Sequence, residues 1–160
     1  MRPNAFHASF LWLNGLFLFF LILADRLTKQ AFSARTDTEL ILVPRLVSII
    51  HHRNFGIVAN IPLPTGMILL VTFLAIGALG VGMVRSVRQN RLSEIPPLLL
   101  ILAGALGNLW DRLTLGYVFD WLLLVRRSAV NLADISIFFG LAWFLLSPRE
   151  SKPPLTQPGE

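Results

Sequence analysis

Three aspartates stand where an apolar chain should avoid charge: Asp111 and Asp120 in GNLWDRLTLGYVFDW, and Asp134 in NLADISIFFG. Desolvation brings the proton affinity of a carboxyl group toward the neutral range, so sheltered carboxylates suit general acid–base work or a proton relay. Asp120 lies among Phe119, Trp121 and Leu122 with no ionic neighbour in sequence, which makes it the strongest candidate. The other acids have structural readings beside the chemical one. Asp25 has Lys29 four residues on, in helical register for a salt bridge. Asp111, next to Arg112 and three residues after Asn108, can tie a helix end to neighbouring loops. Asn131 is a good N-cap, and Asp134 then falls at N3, near the positive end of the helix dipole.

Other chemistries find little support. There is no cysteine, which excludes disulfides, thiolate nucleophiles and Cys-based metal sites. His51 and His52 would point to opposite faces of a strand and fit a surface role better than a ligand role. No glycine-rich phosphate loop, Ser–His–Asp order or HExxH is present.

The elements that must position these groups are read from hydropathy. Hydrophobic residues make up 54% of the 160 and charged residues 14%, with mean hydropathy +0.66. A soluble domain of this size would carry more polar surface. Residues 6–24, 65–84, 95–110 and 135–148 lack charge altogether. With about 20 residues needed to cross a core about 30 Å thick, the expected fold is all-α: four transmembrane helices near 6–24, 65–84, 95–112 and 132–148. Residues 1–150 form one domain on this reading, and 151–160 a disordered cytoplasmic tail. Arg2 precedes the first apolar window as in a signal peptide, but LILADR is a poor cleavage site, so a retained anchor helix is expected.

The net charge of +5 is not gathered on one soluble face, so nucleic acid is not an expected partner. Arg85, Arg88 and Arg91 fall in the link between helices 2 and 3, and Arg149 and Lys152 follow helix 4. That places both termini in the cytoplasm and residues 25–64 and 111–134 on the outer side. Leu40 to Ile50, broken by Pro44, reads as short strands on the membrane surface. Pro96 and Pro97 suit the first turn of helix 3, and Gly116 its end. The aromatic segment 117–128 is expected to lie in the interfacial layer. With Pro148 and Arg149 taken as the inner boundary, helix 4 has only the 13 residues 135–147 inside it, spanning about 20 Å, which sets Asp134 roughly 10 Å below the outer boundary. Asp111 falls a little beneath the surface on the same arithmetic. Ionisable groups at such depth are functional candidates by default.

The blocks ADRLTK, NFGIVA, GALGNLWDRLTLGYVFDW and NLAD together resemble bacterial lipoprotein signal peptidase, or signal peptidase II. The resemblance covers about residues 25–140 in the family's order. It implies a four-helix aspartic peptidase of the bacterial cytoplasmic membrane with a small outer β-cradle and no metal or other cofactor. Its substrate would be a prolipoprotein carrying a diacylglyceryl cysteine, with membrane lipid around a monomer. By motif, Asp120 and Asp134 are the implied catalytic pair. Asn54, Gly56, Asn108, Arg112 and Asn131 would line or brace the site, with Asp111, Asp25 and Lys29 in support. The chain departs from the family pattern at residues 57–60, at Ala103, Trp121 and Val130, and in the short spacing of Asp120 and Asp134. A transporter using the acids as relay groups, or a relative that binds lipopeptides without cleaving them, are the competing readings.

Overall fold

The computed structural model describes residues 5–34, 39–57 and 61–147. Arg2, residues 58–60, Pro148, Arg149 and the expected tail at 151–160 lie outside them. Four long helices and a small antiparallel sheet alternate along the chain: α1 (Ala5–Ser33), β1 (Leu40–Val43), β2 (Val47–Asn54), α2 (Thr65–Arg88), α3 (Ile95–Leu115), β3 (Val118–Leu124), β4 (Ser128–Val130) and α4 (Leu132–Leu146).

Two helical stretches among the described residues, Thr65–Arg88 and Leu92–Leu115, are long and apolar enough to cross a membrane, and Leu132–Leu146 is a shorter apolar helix. α3 is the central element, packed against α1, α2 and α4. Small residues let the backbones close up. A Cβ on Gly104 would land on the Ala133 carbonyl of α4, and one on Gly140 would come within 2.8 Å of the Pro97 carbonyl oxygen of α3. α2 contrasts with this: Leu70, Val71, Phe73 and Leu74 are all exposed. An outward-facing apolar surface of that extent is stable against lipid, not water.

Local signals set the helix ends. Pro96 and Pro97 occupy the first turn of α3, where no amide hydrogen is required. Gly116, at φ 80°, caps its C-terminus in the left-handed conformation that a side chain would resist. α4 begins at a full capping box between Asn131 and Asp134.

The sheet runs in the order β1-β2-β3-β4, every pair antiparallel. The expected strands around Pro44 are present as β1 and β2. The segment 117–128, for which only an interfacial position was expected, forms the sheet's β3 strand and the turn into β4. Its amide groups need partners, and β2 offers a complementary edge, pairing His52 with Asp120 and Asn54 with Val118. A difference concerns α1, expected to stop at residue 24. It runs nine residues further because Asp25 and Lys29 are neutralised inside the protein and need not leave the helix for water. α2 likewise continues through Arg85 and Arg88, which close its last turn.

Candidate active site

The site lies where β2, β3 and the facing ends of α1, α3 and α4 converge. Asp120, on β3, is fully buried. Its Oδ1 accepts a bond from Asn131 Nδ2 at 2.7 Å, and its Oδ2 one from Asn54 Nδ2 at 2.9 Å. Asn54 ends β2, and its own Oδ1 accepts from the Gly56 amide at 3.0 Å, so the turn after the strand orients the amide that meets Asp120.

Asp134 is held by the geometry of its helix start. Its backbone amide donates to Asn131 Oδ1 at 2.9 Å, and its Oδ2 accepts from the Asn131 amide at 3.2 Å. The remaining oxygen, Oδ1, accepts from Asn108 Nδ2 at 2.7 Å. Asn108 and Asn131 are themselves joined, Asn131 Nδ2 donating to Asn108 Oδ1 at 3.2 Å. A continuous chain of hydrogen bonds therefore runs from Asp120 through Asn131 and Asn108 to Asp134.

The direction of that chain is set from α1. Lys29 Nζ has three donors and no acceptor. It meets Asp25 Oδ2 at 2.9 Å, Asp111 Oδ2 at 2.8 Å and Asn108 Oδ1 at 3.3 Å. A permanent donor at Asn108 Oδ1 turns the Asn108 NH2 toward Asp134, and the same oxygen draws the Asn131 NH2 toward itself and Asp120. One ammonium thus decides how both asparagines present themselves to the two carboxylates.

Behind the carboxylates is an ionic layer. Asp111 faces Arg26 at 2.6 Å as well as Lys29. Asp111 also accepts from the Phe119 amide of β3 at 3.4 Å, a tie from the helix end to a neighbouring segment of the kind expected. Arg112 does the same, donating to the Gly56 carbonyl at 2.8 Å and, at 3.5 Å, to that of Asn108. Asp25 pairs with Lys29 as its spacing predicts, and also accepts from the Ala133 amide at 3.0 Å, fixing the first turn of α4. Arg26 was missed by sequence reasoning. Its only signal was a second basic residue within one helical turn of Asp25. Trp121 stacks on Phe32 of α1 at 4.4 Å, and its indole nitrogen is buried without an acceptor. His51 rests edge-on against Phe119.

All ten residues singled out from the sequence thus join one connected assembly, seven of them in the layer that holds Asp120 and Asp134. Burial, with the nearby Asp134 charge adding to it, pushes the Asp120 carboxyl up to about 6, against the bonds from Asn54 and Asn131 and the charge of Lys29. Each carboxylate offers about four lone-pair positions and uses two on the contacts above. Such a pair can hold one proton and still grip a water or a substrate oxygen.

A family model described as Signal peptidase (SPase) II matches residues 17–148. The lipoprotein signal peptidase of Geobacter metallireducens is 34% identical over 113 residues, 66% of this chain and 69% of that protein. That of Pseudomonas fluorescens is 28% identical over 165 aligned positions, 94% of this chain and 95% of that one. The chain also resembles a solved bacterial membrane enzyme with a TM-score of 0.75 and 23% identity, over 87% of this chain and 94% of the other, a likeness of fold.

Proposed function

This chain belongs to the signal peptidase II family, and from that premise we propose that it is an aspartic endopeptidase that removes the signal peptide from prolipoproteins, cutting before a cysteine that carries a diacylglyceryl group. The observation that carries the reading is the bonded chain Asp120–Asn131–Asn108–Asp134.

On this reading α1 to α4 all cross the bilayer, with both termini in the cytoplasm and the sheet on the outer face. The 15 residues of α4 span only about 22 Å of a core about 30 Å thick, so its N-terminal end, with Asp134, sits below the outer boundary. Depth then selects the substrate. A lipidated cysteine keeps its acyl chains in the bilayer, which brings the bond before it to the level of the two carboxyls. Diffusion in the membrane plane delivers it to a monomer, and no soluble binding domain is required.

The mechanism needs only the two carboxyl groups and a water. Close acids share a proton, and Asp120, buried and raised toward 6, holds it. Asp134 takes a proton from the water as the water attacks the scissile carbonyl carbon. Asp120 polarises that carbonyl by hydrogen bonding, and the proton then passes to the leaving amine. The titration belongs to the pair. Arg112, already bonded to the Gly56 carbonyl, is the donor offered to the substrate backbone.

The test is cleavage of a diacylglyceryl-modified prolipoprotein by the purified chain in detergent. Asp120→Asn and Asp134→Asn should each lower the rate by at least about 10²–10⁴-fold while the protein elutes and melts as a folded species. Cleavage at the wild-type rate by either variant would remove the dyad.

A further inference from the structure

The two hairpin turns at the far end of the sheet carry a feature that peptide hydrolysis leaves unused. In the β1–β2 turn the Leu46 amide bonds the Val43 carbonyl at 3.0 Å, with Pro44 and Arg45 between them. In the β3–β4 turn the Arg127 amide bonds the Leu124 carbonyl at 3.0 Å across Val125 and Arg126. The turns lie side by side, joined by a bond of 2.7 Å from the Val125 amide to the Leu46 carbonyl.

Their residue choice is costly for the backbone. Arg45, Val125 and Arg126 have φ of 64°, 51° and 54°, in the left-handed region. Glycine or asparagine fits there without strain, and a β-branched valine fits worst. Strain at a defined place points to a use. What it presents is an apolar tip ringed by cations. Leu46 is 53% and Val125 61% exposed, and Arg45, Arg126 and Arg127 are exposed beside them. Among the described residues no carboxylate lies within ion-pair distance of these three arginines. The adjoining edge strand continues the apolar surface, since all four residues of β1, Leu-Ile-Leu-Val, are exposed.

From this we infer that the paired turns form a docking surface for anionic phospholipid, with Leu46 and Val125 entering the acyl boundary and Arg45, Arg126 and Arg127 gripping headgroup phosphates. A tip of apolar side chains flanked by guanidiniums is the composition of an interfacial anchor. The sheet also keeps the tip beside the bilayer. Ser128, at the turn end of β4, is three residues from Asn131 at the start of α4, about 10 Å of extended chain. Anchored there, the sheet could neither lift from the membrane nor carry Asp120 away from Asp134.

The absence of cysteine makes the test direct. A nitroxide on Val125→Cys, in the otherwise native full chain, reports its surroundings in nanodiscs of phosphatidylcholine with or without phosphatidylglycerol. With phosphatidylglycerol, the label should collide freely with oxygen and be shielded from a water-soluble nickel chelate. Adding Arg45→Gln, Arg126→Gln and Arg127→Gln should restore nickel access. In detergent, the dissociation constant for added phosphatidylglycerol should rise about fivefold for each arginine removed. Replacing the strained pair by Val125→Asn with Arg126→Gly should raise Tm in detergent and weaken phosphatidylglycerol binding. Nickel access unaffected by lipid or arginines, dipolar coupling between labels on two copies, or a lower Tm for the Asn–Gly turn would each overturn the inference. None of these readouts depends on peptidase activity.

Discussion

Asn131 donates to Asp120 at 2.7 Å with one end of its amide and, with the other, caps the helix that carries Asp134. One residue therefore holds both carboxyls in a common frame, and its two duties use different atoms. The cap needs an acceptor oxygen, and the bond to Asp120 needs the NH2.

That division can be separated by substitution. Asn131→Ser keeps a capping oxygen but loses the NH2 that reaches Asp120, so its Tm should stay near wild type while cleavage falls by one to two orders of magnitude, about 10–10²-fold. Asn131→Ala loses both, adding about 0.5–2 kcal/mol of destabilisation. Equal Tm values for the two variants would show that the cap carries no stability. Thermal melts in detergent alongside cleavage rates make the comparison.

Stability should depend on pH through Asp120. Its ordinary value is 3.8, and in the folded protein it titrates near 6. Between those values the folded chain keeps the proton that the unfolded chain has lost, so this contribution is present below pH 4 and is lost as pH rises through 6. The span corresponds to about 3 kcal/mol. Asp120→Asn removes the titration, so the Tm of the variant minus that of wild type should grow in the variant's favour from pH 4 to pH 7. A flat difference across that range would mean that Asp120 titrates alike in both states.

The contact between α3 and α4 should tolerate no added methyl at Gly104, where a Cβ meets the Ala133 carbonyl and lies 2.6 Å from Ile137. Gly104→Ala is expected to destabilise by about 1–3 kcal/mol or more and to displace Asp134 with the start of α4, reducing cleavage. Gly77→Ala, which meets nothing within 4 Å on α2, should be neutral or stabilising by up to about 1 kcal/mol. Melts of the two variants side by side decide it.

Lys29→Met leaves Asp25 and Asp111 sharing Arg26 and frees the Asn108 amide to turn. Removing one partner from a buried ionic group costs about 3–5 kcal/mol. The double variant Lys29→Met with Asp111→Leu leaves Arg26 facing Asp25 alone, in charge balance. It should melt above the level that the two single losses add up to. Strict additivity would show that Lys29 and Asp111 do not interact as their 2.8 Å separation implies.

The sequence by itself determined what depends on neighbours within a helical turn or on long apolar runs. The Asn131–Asp134 box, the Asp25–Lys29 pair, the prolines opening α3 and the glycine closing it are local interactions, and each is where its spacing predicts. Motif resemblance then named the acids and amides, because chemistry constrains residue type more tightly than position. Only the tertiary structure decided how they meet. Asn54 reaches Asp120 across 66 residues, Lys29 reaches Asn108 across 79, and Asp25 holds the Ala133 amide across 108. No periodicity records such contacts. The same holds for segment 117–128, whose apolar and aromatic side chains suit an interface or a strand equally well. Its amide groups took the partners that β2 offered, and that pairing set Asp120 facing the end of α4.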